Sequence, residues 1–229
     1  MSKMPLRRVA EEAARLMAAG AENEYIHAKT RALQMLGISG QTRLPSNRKI
    51  KDCIARLTQE ELGADEVHRR LRAMRQIAYD LMTVLEMFDP FLIGSTLTGE
   101  IRRSSDIDLH VYSDDYAEVE DHLAIFGYDE IDIEQVENRK GSFVHLRWME
   151  QGFPIEITIY PWSWRTVTLY SSVTGKIMKR ADVHGVSKLL TRMEQERQKS
   201  RKQSEHDQSM DMPAPPPMQD QSTNNQTNV

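Results

Sequence analysis

The stretch "FLIGSTLTGEIRRSSDIDLHVY", residues 91–112, decides how this chain is read. It opens as a short apolar run of strand type, turns at Gly94-Ser95, and ends in an alternating segment. Residues two apart on a strand share a face. Asp106, Asp108 and His110 therefore point one way, and Ile107, Leu109 and Val111 the other. Two carboxylates so placed repel each other, and burial makes each favour its neutral form. A hard divalent cation with oxygen ligands resolves the conflict. Mg²⁺ takes one or two carboxylates and leaves positions for water and phosphate oxygens. Two such ions clamp the entering and leaving oxygens of a phosphoryl displacement. The plain alternative is the solvent face of an edge strand. The lead-in weighs against it. Gly94-Ser95 closes an apolar strand and opens a short helix whose free N–H groups suit an anion. Glycine allows phosphate to approach closely, and the serine hydroxyl adds a donor. Arg102 and Arg103 bring positive charge to the connection.

Working outward, the preceding sequence is helical. Leu6, Val9, Ala13, Leu16 and Met17 recur at helical spacing over residues 6–19, and Tyr25, Ala28, Ala32, Leu33 and Leu36 do so over 22–36. Ser46 or Asn47 can cap a third helix reaching about Leu62. A fourth, longer helix carries Val67, Leu71, Met74, Ala78, Leu81, Leu85 and Phe88, and Asp89-Pro90 ends it. Its polar side holds His68, Arg69, Arg70, Arg72 and Arg75, either a solvated basic face or a contact for an acidic acceptor such as RNA. After the stretch come a helix over "DDYAEVEDHLAIFGY" and three alternating segments, "EIDIEQV", "SFVHLRW" and "PIEITIY". A last helix runs from about Asp182 to Gln198. The expected fold class is α+β. It has an antiparallel or mixed sheet of four or five strands with packed helices, preceded by a helical region. The expected organisation is a helical region over 1–88, a core over 89–197 and a disordered polar tail over 198–229, where Gln, Asn and Pro replace apolar residues.

The 229 residues suffice for a sizeable core. A net charge of −4 argues against bulk electrostatic binding of nucleic acid, though a local basic face stays open. The lone Cys53 rules out an intramolecular disulfide and suggests a reducing compartment. Without an apolar run of membrane-span length or a signal peptide, a cytoplasmic protein with no membrane partner is expected. No close histidine pair has zinc spacing with cysteine.

The 93–111 segment resembles the signature of the polymerase-beta-like nucleotidyltransferase superfamily: apolar strand, Gly-Ser, short helix, then two aspartates alternating with apolar residues. Ser105, before the first aspartate, fits as well. The helical region before it, with "ENEYIHAK" and "LPSN", is similar to that of small bacterial proteins bearing this domain. The resemblance implies transfer of a nucleoside monophosphate from a nucleoside triphosphate, with ATP expected, and release of pyrophosphate. It implies Mg²⁺, two ions, held by Asp106 and Asp108. It implies triphosphate contacts at Gly94 and Ser95, with Arg103 and Ser105 beside them. It also implies a third acid on a neighbouring strand, which completes the metal site or acts as base. Glu156 is preferred as an isolated charge in the apolar strand "PIEITIY", where it needs a partner. Asp132 is the rival, but "EIDIE" is acidic along its outer face, as a solvated edge is. His145 and Arg147 share a strand face and either line the site or are solvated. His110 extends the aspartate face. Thr174-Gly175-Lys176 is too short for a P-loop and reads as a turn, with a phosphate contact at Lys176 as the alternative. The three tryptophans read as packing residues. The acceptor is left open among RNA, a small molecule and a protein. Two rival functions stand: a non-catalytic nucleotide and metal sensor, and a protein-modifying transferase of toxin–antitoxin type.

Overall fold

The structure, a computed structural model, describes residues 4–22, 24–38, 43–138, 141–171 and 175–210. Thr174 and the polar tail beyond residue 210 lie outside the described residues. Three helices come first: α1 (Met4–Ala18), α2 (Tyr25–Met35) and α3 (Asn47–Leu62). Ser46 caps α3 by accepting from the Lys49 N–H. These helices share one apolar core built on Val9, Ala13, Met17, Ala32, Ile50 and Ile54.

Helix α4 (Ala64–Val84) and a 3-10 turn (Glu86–Phe88) follow. The α4 stripe Met74, Ile77, Ala78, Leu81 and Met82 is buried against the sheet, so α4 shares the sheet's core. Each such large side chain contributes about 2 kcal/mol on burial. Strand β1 (Phe91–Leu92) leads into α5 (Gly94–Thr98), then β2 (Ile107–Tyr112) and α6 (Tyr116–Ile125). Strands β3 (Asp132–Asn138), β4 (Gly141–Glu150) and β5 (Phe153–Tyr160) precede α7 (Val183–Met210). The last helix thus runs past the expected end near Gln198 to Met210. Its Glu, Gln, Lys and Arg residues are good helix formers that hold a helix without an apolar face.

The five strands form one mixed sheet in the order β1-β2-β5-β4-β3. β2 and β5 are parallel; the other neighbours are antiparallel. The α+β class expected from the alternating segments is the one observed. Gln151 and Gly152, both at positive φ (49° and 80°), make a two-residue hairpin between β4 and β5. That turn sets Arg147 opposite Glu156. One sheet face buries Ile107, Leu109, Ile155, Ile157 and Leu146 under the helices. The other carries Asp108, Glu156 and Arg147 in one row across three strands. The chain divides between Thr191 and Arg192 into two units, and the sheet lies wholly in the first. Among the described residues no helix is long and apolar enough to cross a membrane.

Candidate active site

Asp106 ends the connection into β2, and Asp108 sits within the strand. Asp108 is in direct register with Glu156 on the parallel neighbour β5. The rival Asp132 is instead opposite Arg147, on β3, with two strands between it and β2. Burial drives the Asp108 carboxyl up to about 7, helped by the negative charges of Asp106 and Glu156; Arg102 and Lys51 oppose the shift. Burial also raises Asp106, with Glu156 adding to the effect. Gly94 begins α5 at φ +70°, directly against Asp108. A Cβ there would collide with Asp108 Oδ2 and lie 3.1 Å from Cγ. Glycine is required at this point both for the backbone and for the space.

Glu156 is held by two cationic or polar partners. Arg147 Nε donates to its Oε2 at 2.8 Å, and His145 Nδ1 lies 3.3 Å from its Oε1. Arg147 also pairs with Glu134. The same His145 nitrogen is 3.2 Å from Thr158 Oγ1. His110, on the aspartate face, is buried against Tyr160 with ring centroids 4.8 Å apart. Among the described residues its Nδ1 has no hydrogen-bond partner. Burial pushes its pKa down to about 4, with Arg180 and His145 adding to the effect, so His110 is a neutral packing group at pH 7.

The loop between α5 and β2 is tied together by small hydroxyls. Ser95 Oγ donates to Ser105 Oγ at 3.1 Å, which also accepts from the Arg102 N–H at 2.9 Å. Thr96 Oγ1 donates to the Asp106 carbonyl at 2.9 Å. Ser105 is buried and fastens the loop that delivers the aspartates. Arg75, which the sequence places on a basic helix face, is buried inside. It donates to the carbonyls of Thr96 and Leu97, both at 3.0 Å, and so fixes the end of α5. Arg70 packs over Phe153 and donates to the Arg103 carbonyl. Neither Arg70 nor Arg75 stands on an open basic face. Arg75→Met should strip two carbonyls of a donor and lower unfolding free energy by about 2 kcal/mol. Loosening α5 should also weaken triphosphate binding. Urea titration and nucleotide titration of the variant check both effects.

A cavity of about 1090 Å³ opens beside the aspartates. Gly94, Ser95, Asp106 and Asp108 line it, together with Arg102 from the loop and Arg48 and Lys51 from α3. Lys51 pairs with Glu100 at 2.9 Å. Lys176, Lys179 and Arg180 line it from the segment after β5. Arg103 does not line it; its guanidinium turns to Glu61 at 3.3 Å. Sequence reasoning missed Lys51 and Arg48 because nothing local in α3 shows which loop the helix packs beside. Among the described residues no group of three His, Cys, Asp or Glu side chains closes around a point as a metal cage does. The donor chemistry nonetheless fits Mg²⁺. Asp106 and Asp108 are two half-buried carboxylates of the hard-oxygen type that a divalent ion takes, and Mg²⁺ ordinarily fills its remaining positions with phosphate and water.

No family model matches this chain, and no curated protein does. Among solved structures the chain is similar to Cid1 in complex with the UTP analog UMPNPP. Identity is 19%, over 39% of this chain and 30% of that one, with a TM-score of 0.29. It is similar to a cytoplasmic RNA terminal U-transferase at 20% identity, over 39% and 30% of the two chains, with a TM-score of 0.29. A second Cid1 structure gives 20% identity, 46% and 35% coverage and a TM-score of 0.27. The chain spans about a third of the length of these structures. The likeness is partial and is one of fold.

Proposed function

We propose that this chain is a Mg²⁺-dependent nucleotidyltransferase that moves a nucleoside monophosphate from an NTP, ATP first, to an acceptor hydroxyl. The observation that carries the reading is the packing of Gly94 against Asp108, itself in register with Glu156, at the wall of a cavity lined by Lys51 and Arg102. Asp106 and Asp108 would hold the metal, with Glu156 closing the set. When bound, Mg²⁺ supplies charge stabilisation to the phosphoryl group in flight. Gly94 and Ser95 cradle the triphosphate, and Lys51 and Arg102 offset its charge. The acceptor oxygen attacks the α-phosphorus in line, the bond from that phosphorus to the bridging oxygen breaks, and pyrophosphate leaves. Glu156, turned by Arg147 and His145, receives the acceptor proton. A reducing, cytoplasmic setting suits the single thiol of Cys53.

A second reading is favoured by one observation. Arg147 bridges Glu156 and Glu134, which neutralises the third carboxylate with no metal. A chain locked that way binds nucleotide as a sensor without turnover. The two readings separate on pyrophosphate release measured with each α-labelled NTP, wild type beside Asp106→Ala/Asp108→Ala. Release by the wild type alone is the expected result. Equal release from the double variant overturns the assignment. Metal-dependent NTP binding without release installs the sensor reading in its place.

A further inference from the structure

An arginine meets a carboxylate best as a fork, with two parallel N–H groups on the two oxygens. Between β4 and β5 that fit is not made. Arg147 lies opposite Glu156, yet it gives that carboxylate one bond, from Nε to Oε2 at 2.8 Å. Its Nη1 turns the other way, to Glu134 on β3. Glu134 is not the register partner of Arg147. Asp132 is, and Glu134 stands opposite His145, one place along the ladder. Such a diagonal neighbour is within reach of a long side chain. The guanidinium is thus shared across three strands, and among the described residues Glu156 Oε1 receives no arginine hydrogen bond.

What Oε1 does have is the His145 Nδ1 at 3.3 Å, a ring nitrogen that is also 3.2 Å from Thr158 Oγ1. One long contact to a shared ring yields to an incoming ligand more readily than the second prong of a charged fork does. Glu156 stands close to the aspartates. It is in register with Asp108, and its charge helps to raise both Asp106 and Asp108. It is also the more sheltered of the two acids on Arg147, its side chain 29% exposed against 56% for Glu134. An ion pair as exposed as that of Glu134 adds little to stability. Its consequence is the direction in which the guanidinium points.

Resting on the transferase reading, we propose that Glu134 is a positioning residue: by taking one prong of Arg147 it keeps Glu156 Oε1 open as the oxygen that closes the metal set. Without Glu134 the guanidinium turns inward, both prongs close on Glu156, and the third carboxylate is withdrawn from the ion.

The test is the Mg²⁺ dependence of binding of a non-hydrolysable ATP analogue to the full chain, which needs no turnover. Glu134→Ala should raise the Mg²⁺ concentration at half-saturation about tenfold. It should move the melting temperature of the metal-free chain by less than about 2 °C. Glu134→Gln keeps an acceptor oxygen at that place and should recover most of the loss. In an Arg147→Lys background the ammonium is a point charge without a planar fork, so there Glu134→Ala should shift half-saturation by less than about twofold. A metal-free crystal structure of Glu134→Ala should show two Arg147 nitrogens on the two Glu156 oxygens. Unchanged half-saturation, an equal loss in the Arg147→Lys background, or an Arg147 still on Oε2 alone in that crystal structure overturns the proposal. So does a wild type that binds the analogue without regard to Mg²⁺. Pyrophosphate release is scored apart. Its absence from a wild type with Mg²⁺-dependent binding defeats the transferase reading and leaves the placing of Glu156 by Glu134 to stand or fall on the titrations.

Discussion

Asp108→Asn should abolish nucleotidyl transfer, by at least about 10³-fold, and at neutral pH should make the metal-free chain more stable. Both effects have one cause. Burial and the neighbouring Asp106 and Glu156 carboxylates raise Asp108 from its ordinary 3.8 to about 7. A raised carboxyl binds its proton more tightly in the folded chain than in the unfolded one. Stability from this group is therefore full below pH 3.8 and lost as pH rises through the folded value of about 7. The loss is on the order of 4 kcal/mol when complete. Asparagine has no proton to lose and escapes it. Melting temperatures of the two proteins without divalent ions should be close near pH 4 and should separate by pH 7.5, with the variant higher. Mg²⁺ at pH 7.5 should raise the wild type and leave the variant where it was. A variant that melts below the wild type at every pH, or that keeps transfer, defeats this account.

Gly94→Ala should be nearly as damaging, by a different route. An L-residue at φ +70° costs about 1–2 kcal/mol. The added Cβ also runs into Asp108 Oδ2, so the carboxylate must swing away from the place where it meets Glu156. Transfer should fall by at least about 10²-fold. The two contributions separate in a double-mutant cycle with Asp108→Ala. Removing the carboxylate relieves the collision and leaves the backbone strain, so Gly94→Ala should cost less stability in the Asp108→Ala background. Additive losses would show that the collision does not occur.

Much of this was legible in the sequence, for physical reasons. The period of two in "DIDLHVY" and "PIEITIY" is the pleat itself, and it put the acids on one face and the isoleucines on the other. The α4 stripe showed a buried helix face. What stayed hidden depends on partners distant in sequence. Nothing local says that β5 inserts between β2 and β4, so the preference for Glu156 over Asp132 rested on its isolation in the strand, not on its register with Asp108. Arg75 read as a surface arginine because its acceptors, two carbonyls of a short helix 21 and 22 residues on, form no pattern. Ser105 read as a nucleotide contact, and no local pattern shows that its hydroxyl accepts from Ser95 and from the Arg102 N–H within the loop. The α7 helix outlasted its apolar stripe because helix propensity needs no buried face.

The parallel pairing of β2 with β5 also sets an order of events during synthesis. β1, α5 and β2 leave the ribosome well before β5, which follows only after α6, β3 and β4. Asp108 and Glu156 therefore belong to a contact of long sequence separation, the kind that forms slowly because loop closure comes before the gain. A nascent chain that has yet to extend past Tyr160 holds the two aspartates but no facing strand. The site is complete only once the last strand has emerged and paired beside the second.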